Sequence, residues 1–410
     1  MRWVFGCLLG VACVGKAPPA AVLSPQASLS LVETWPVETT LDHGDVADTQ
    51  EVWLEMIGAA KTALDLGQFY VSPNPDLDDR MDPILAAIEA AADRGVQVRL
   101  LADAKFQKTY PDDLARLDAR DRIEVRIFDM KPLTGGVMHA KYFIVDGREG
   151  FLGSQNFDWR SLEHIQELGV RFAGPSAVAG LRAVFEQDWA LAGGSEVPVP
   201  SARPAESMSW RGSEVSVRFV ASPQELVHEE AWDLPYLLAA IDGATTTVRI
   251  QLLSYAVVGY DKSQWRRLDD ALRSAGGRGV DVEILVSNWQ KSSYKQGVVK
   301  DLNSAEGVEV RFVNIPEHSG GWVDFSRTVH SKYVVVDDAW SWIGTSNWSR
   351  DYFHASRNVG LVIEGASFAE ALGAMHQGLW EGPYAESIDS EREYESPYEV
   401  HKAAMKAASE

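Results

Sequence analysis

The stretch His139-Ala-Lys141-Tyr-Phe-Ile-Val-Asp146, followed by Gly153-Ser154-Gln155-Asn156, has a second copy about 190 residues further on: His330-Ser-Lys332-Tyr-Val-Val-Val-Asp337, then Gly344-Thr345-Ser346-Asn347. The flanks repeat as well. Ala63-Leu-Asp-Leu-Gly-Gln-Phe-Tyr70 reads as a buried strand, and so does Val248-Arg-Ile-Gln-Leu-Leu-Ser-Tyr255. Helical stretches follow at Ile84–Asp93 and Leu268–Ala275. Next come Arg94-Gly-Val-Gln-Val-Arg-Leu-Leu101 and Arg278-Gly-Val-Asp-Val-Glu-Ile-Leu285, and then strands at Ile123–Phe128 and Val308–Val313. Strand, helix, strand, with glycine at the helix-to-strand turn, is the pattern of α/β layers. The matched order predicts two similar α/β halves, residues 29–196 and 205–389. The Pro- and Ser-rich link 197–204 joins them, and the charged, Ala-rich tail 390–410 reads as a surface helix or frayed end.

Histidine and lysine two positions apart on a strand point to one face. The β-branched and aromatic run behind them suits a buried strand. An imidazole and an ammonium therefore project together from a rigid element, and the Gly-Ser/Thr turn brings Asn156 or Asn347 near the same spot. Two copies face to face place His139, His330, Lys141, Lys332 and the two amides around one point. That is a cradle for a phosphodiester, because cations and amide donors stabilise oxyanion charge as it develops. Ser154 and Ser346 join Asn156 and Asn347 as expected phosphate contacts. One histidine attacks phosphorus; the other protonates the leaving oxygen, then activates water or an alcohol. Nothing in this chemistry calls for a metal or another cofactor. A lone histidine on an apolar strand is more often structural; two complete copies lift the reading above that. A non-catalytic relic would have lost a histidine or lysine, and none is missing.

The pattern H-x-K-x4-D-x6-G-S-x-N, present twice, resembles the signature of the phospholipase D superfamily, with Thr345 keeping the hydroxyl of the second serine. The resemblance implies two α-β-α sandwich halves packed about a pseudo-two-fold axis, with one site at their interface. It implies supporting, mainly structural roles for Asp146 and Asp337, and a downstream carboxylate that raises the basicity of a catalytic imidazole. Glu167 lies 28 residues after His139 (167 − 139), whereas the same offset from His330 lands on the uncharged Asn358. That asymmetry points to His139 as nucleophile and His330 as general acid.

Asp158-Trp-Arg-Ser-Leu162 with Glu167-Leu-Gly-Val170, and Gly344-Thr-Ser-Asn-Trp-Ser349 with Tyr352-Phe353, look like the branch containing the animal endolysosomal 5′ exonucleases. This implies single-stranded DNA or RNA, entered at a 5′ end and cut to 3′-phosphate products. Trp159 and Trp348, with Phe157, Tyr352 and Trp289, are the candidates to stack bases, although core packing is the commoner use of each. The alternative is a phospholipase D or phosphatidyltransferase acting on glycerophospholipids with the same histidines. An aromatic, narrow pocket would favour bases, and an apolar, open one acyl chains.

Composition bounds the partners. Hydrophobic residues make up 46% and charged residues 24%, ordinary for a globular protein, but the formal charge is −21. Such a surface repels a polyanion at long range and opposes stable duplex DNA binding, so attraction must be local. Arg2 precedes the apolar run Trp3–Val14, too short to span a bilayer, and Pro18-Pro19-Ala20-Ala21 follows. Residues 1–21 therefore read as a signal peptide and the protein as exported, to the periplasm or the exterior, with attachment to a membrane through the N-terminus as the alternative. The two cysteines, Cys7 and Cys13, fall in that segment, where a departure from disulfide-using lumenal relatives is visible.

Overall fold

In the computed structural model, which describes residues 27–74, 79–259 and 261–409, the strands of the two halves correspond one to one. The signal segment expected over residues 1–21 lies outside the described residues. The first half contains β1 (Leu29–Thr34), β2 (Ala63–Gln68), β3 (Gln97–Asp103), β4 (Ile123–Phe128), β5 (Tyr142–Val145), β6 (Glu149–Gly153) and β7 (Ile165–Phe172), in the spatial order β1-β7-β6-β5-β2-β3-β4. The second contains β8 (Ser213–Ser222), β9 (Thr247–Leu252), β10 (Asp281–Ser287), β11 (Val308–Val313), β12 (Tyr333–Val336), β13 (Trp340–Gly344) and β14 (Asn358–Glu364). Its order, β8-β14-β13-β12-β9-β10-β11, is the same with every label raised by seven. In each half the central strand (β2, β9) runs parallel to its neighbour on one side and antiparallel to the motif strand (β5, β12) on the other.

Helices cover the sheets: α1 (Thr49–Ala59), α2 (Asp82–Asp93), α3 (Asp112–Asp118) and α4 (Pro175–Ala192) in the first half, and α5 (Asp233–Gly243), α6 (Arg267–Gly277), α7 (Gln296–Asn303) and α8 (Ala366–Trp380) in the second. The tail carries α9 (Pro397–Ser409). Local sequence explains the boundaries. In α2, Ile84, Leu85, Ile88, Ala91 and Ala92 recur at helical spacing and are buried, and Pro83 sits at the first turn, where its missing N–H costs nothing. The helix stops at Gly95, whose φ of 97° no side chain tolerates well; its N–H returns to Ala92 O at 2.8 Å. Gly279, with φ 91°, does the same after α6.

The first sheet is apolar on both faces, and the period of two sorts its residues. Phe143 and Val145 of β5 face α1 and α2 and join a core with Trp53 and Ile88. Tyr142 and Ile144 face the other way and join a core shared with Trp342, Leu361 and other residues of the second half. The halves thus share a hydrophobic core, and at its polar margin stands one ion pair. Arg357 and Asp188, both 0% exposed, meet at 2.7 Å, and Arg357 also donates to Gln187 Oε1 and Ser222 O. Removing one partner strands a buried charge. Arg357→Met should therefore cost about 3–5 kcal/mol in urea unfolding, and Arg357→Met with Asp188→Leu should recover most of it. A double variant as unstable as the single one would place the cost in packing instead.

Candidate active site

β5 and β12 begin at Tyr142 and Tyr333, so His139–Lys141 and His330–Lys332 lie on the extended lead-ins, not within the ladders as the spacing suggests. What holds each lead-in is the other half. His139 N–H donates to Arg357 O at 3.0 Å, and Arg357 N–H donates to Val137 O at 2.9 Å. Thr328–Val329 pairs in parallel with Ile165–Gln166, and His330 N–H donates to Gln166 O at 2.8 Å. Each motif is thus docked on the start of the other half's strand, β14 or β7.

This docking exchanges the partners that sequence offset assigns. Glu167, expected beside His139, is fully buried and meets His330: Nδ1 lies 2.8 Å from Oε2 and 3.0 Å from Oε1. His139 Nδ1 instead lies 3.0 Å from Asn358 Oδ1. The assignment of His139 as the carboxylate-assisted histidine is corrected accordingly. The reason is that the parallel pairing places residue 167 next to residue 330 across the interface, a relation that no offset within one half contains. The Asn358 amide donates to Tyr352 O and Ser356 O at 2.9 and 3.2 Å, while its Oδ1 accepts from Thr345 Oγ1 at 2.9 Å. That fixes Oδ1 as the acceptor and His139 Nδ1 as the N–H. In both rings Nε2 is left to carry a lone pair or a transferable proton.

Burial alone would raise Glu167, but His330 beside it holds the carboxyl below its ordinary value, and Lys332 and Ser154 add to this. Burial pulls the His330 imidazole down to about 4, against the opposing Glu167 charge. His139 is pushed well below the usual range by burial and then by Lys141 and Lys332. Both ammonium groups are buried, and each donates to the carbonyl oxygen of its own motif histidine. Burial brings Lys332 down to about 7 and Lys141 well below its ordinary value. With neutral imidazoles and lysines that lose their protons easily, the centre of a chain whose formal charge is −21 becomes cationic when a bound anion restores the lysine protonation.

Asn156 and Asn347 line the same cleft as both histidines. Ser154 and Ser346 do not, which corrects their expected phosphate contacts. Both are 0% exposed. Ser154 Oγ bridges the Leu168 backbone, accepting from N–H at 3.0 Å, and Ser346 Oγ donates to Asp233. The glycines before them have a packing reason: Gly153 lies opposite Gly169, and a Cβ on Gly153 would stand 2.7 Å from Gly169 Cα. Asp146 and Asp337 sit outside the cleft and cap the turns into β2 and β9. Asp337 accepts from the N–H groups of Thr245, Thr246 and Thr247 at 2.8–3.0 Å and from the hydroxyls of Thr245 and Thr246 at 2.8 Å. Asp146 does likewise with Lys61, Thr62 and Ala63.

The cleft encloses about 320 Å³, and its walls are aromatic: Phe69, Tyr70, Phe106, Tyr110, Trp289, Phe325 and Tyr352. Among the stacking candidates, Trp289 and Tyr352 are placed there. Trp348 and Phe157 are core residues, 1% and 0% exposed, and Trp159 packs its ring against His164, so the expected stacking roles of Trp159 and Trp348 are corrected. Those residues follow the asparagines in sequence, but the chain turns inward there. Of the rings that sequence reading missed, Phe69, Tyr70, Phe106 and Tyr110 follow the carboxyl ends of β2 and β3, where α/β sheets carry their sites, and Phe325 lies in the connection after β11.

A family model described as "Cardiolipin synthase, PLD-like domain" matches residues 53–189 and 237–380, one segment per half, and the chain belongs to this phospholipase D-like family. Among curated relatives, Phospholipase D Z of Dictyostelium discoideum is 30% identical over 87% of this chain and 90% of its own. The 5'-3' exonuclease PLD3 of Bos taurus and the 5'-3' exonuclease PLD4 of Mus musculus are each 28% identical, over 88% of this chain and 80% of theirs. The phosphatidylserine synthase of Haemophilus influenzae superposes with a TM-score of 0.60 at 14% identity, covering 88% of this chain and 90% of that one, a likeness of fold.

Burial alone would raise the Asp337 carboxyl, but the N–H groups of Thr247, Thr246 and Thr245 and the Thr245 hydroxyl hold it well below the usual carboxylate range. Its contribution to stability is therefore present above about pH 4, the unfolded value, and is lost as pH falls through the lower folded value. Asp337→Ala should lower stability by about 2 kcal/mol at pH 7 and by progressively less toward acid, measured by urea midpoints, while turnover per folded molecule persists. Loss of turnover in the folded variant would move Asp337 into the chemistry.

Proposed function

We propose that this phosphodiesterase cuts single-stranded nucleic acid from its 5′ end through a phosphohistidine intermediate. The observation that carries the reading is the aromatic wall around two buried imidazoles: flat rings suit unpaired bases, and the two buried lysines beneath suit one phosphate. The similarity to 5'-3' exonucleases over most of the chain supports it. So does the apolar run Trp3–Val14 for an exported enzyme. No described helix is long and apolar enough to cross a membrane.

Glu167 assigns the roles. Attack on phosphorus leaves the imidazole cationic, and a buried carboxylate on its Nδ1–H stabilises that charge, so His330 is the nucleophile. Its Nε2 lone pair forms the N–P bond while the P–O5′ bond breaks. His139 gives its Nε2 proton to the departing O5′; the bound phosphodiester offsets the lysine charges that keep this ring neutral in the empty site. His139 then takes a proton from water, whose oxygen attacks phosphorus, and the N–P electrons return to His330. The product is a nucleoside 3′-phosphate. Asn156 and Asn347 hold the phosphoryl oxygens throughout, while Lys141 and Lys332, buried and bonded to the carbonyl oxygens of the two histidines, supply positive charge from beneath the cleft.

Turnover of a 5′-hydroxyl single-stranded oligonucleotide in EDTA, beside a phosphatidylcholine vesicle assay, tests the reading. Stepwise release of 3′-nucleotides, lost in His139→Ala and in His330→Ala, is expected. Phosphatidic acid without nucleotide release would move the protein to lipid chemistry. The pH profile tests the roles. His330 must be neutral, so kcat/KM should rise through about pH 4; Lys332 must be charged and His139 must hold a proton, so it should fall again by about pH 7. Glu167→Gln removes the charge that raises both groups, so both limbs should move to lower pH and kcat should fall about 100-fold. Limbs that stay in place would detach Glu167 from this role.

A further inference from the structure

The catalytic groups obey the pseudo-two-fold axis, but the walls of the cleft do not. On the first half, a chain of rings starts at His139: Phe69 lies 4.9 Å from it, Phe106 4.7 Å from Phe69, and Tyr70 5.0 Å from Phe106. Tyr110 is stacked with both, 5.4 Å from Tyr70 at 27° and 6.4 Å from Phe106 at 19°. The wall is held in place, because Tyr70 donates to Asp158 Oδ2 at 2.8 Å and Arg160, itself paired with Asp158, reaches Tyr110 Oη at 3.4 Å. At its rim the exposed Lys105 lies over the Phe106 ring at 5.5 Å and forms no ion pair among the described residues. Cleft cations of comparable reach are already neutralised: Arg160 by Asp158, and nearby Lys291 by Glu386. On the second half stand three rings: Tyr352, 5.0 Å from His139, and Trp289 and the 63%-exposed Phe325, 6.4 Å apart.

In-line displacement places the leaving oxygen opposite the nucleophile. With His330 attacking, the departing O5′ faces His139, and the rest of the strand runs along the wall that begins at Phe69. The terminal nucleoside stays on the phosphohistidine, on the side of Trp289 and Phe325. We propose that the wall of Phe69, Tyr70, Phe106 and Tyr110, with Lys105, is the subsite for the departing strand: its rings stack the second and third bases, and Lys105 meets the phosphate between them. Trp289 and Phe325 bracket the terminal base. This rests on the nucleic-acid reading above and deepens it by giving the strand a direction. The run of four rings lies where more than one nucleotide must be held, and Lys105, without an ion pair among the described residues, stands at its rim to meet a phosphate.

The test compares two substrates in the full chain. Octathymidylate fills both sides of the cleft, whereas thymidine 3′-(4-nitrophenyl phosphate) keeps the terminal nucleoside and replaces the departing strand by nitrophenol. The ratio of their kcat/KM values should fall about tenfold in Phe106→Ala and in Lys105→Gln, the latter an exposed change that leaves the core untouched. Lys105→Gln should also flatten the salt dependence for the octamer. Trp289→Ala should lower kcat/KM for both substrates. A ratio that stays put in Phe106→Ala and Lys105→Gln while wild type degrades the octamer would overturn the subsite alone, as would a ratio that falls only in Trp289→Ala. Wild type that turns over the nitrophenyl ester but not the octamer would overturn the nucleic-acid reading and the subsite with it.

Discussion

The pairing of Val137–His139 with Arg357, and of Thr328–His330 with Ile165–Gln166, crosses from one half to the other, and the catalytic geometry depends on it. Each histidine takes both its backbone position and its ring orientation from the half opposite its own. The imidazole cannot turn without breaking a hydrogen bond to Glu167 or Asn358, and neither of those can shift without dragging β7 or β14 of the opposite sheet. Arg357 joins this arrangement to the interior. Its backbone holds His139, while its guanidinium is buried against Asp188 of the first half. Preorganisation of this kind is what lets a buried, charged site stabilise a transition state without reorganising.

Burial is costly, and the balance of charge shows how the cost is contained. Four nitrogen bases and one carboxylate occupy the centre. Removal from water drives the imidazoles neutral and makes the lysines weak bases. The empty site is therefore poised: it gains its second anion with the substrate, whose charge restores the protonation the chemistry needs. The motif aspartates take no part in this balance. They hold the turns that start β2 and β9, and so set the strands against which the motif strands register.

Duplication gives two copies of each tool, and divergence gives them different work. One ring has a carboxylate and the other an amide, from equivalent positions of β7 and β14. The same divergence lines the two sides of the cleft with different sets of rings. A symmetric cleft could not tell a strand's two directions apart; an asymmetric one can.

Sequence by itself determined the duplicated α/β architecture, because apolar runs at a fixed order and spacing, each closed by a glycine turn, fold locally in the same way twice. It also brought the twin histidine, lysine and asparagine positions to notice, because their spacing repeats. It misjudged Ser154, Ser346, Trp159 and Trp348, whose side chains turn into the core or against a neighbour where adjacency in sequence suggested the cleft. Only the tertiary structure decided which imidazole meets Glu167 and which rings face the substrate. Those are contacts across an interface between halves, set by how two sheets pack and register, and no pattern within either half encodes them.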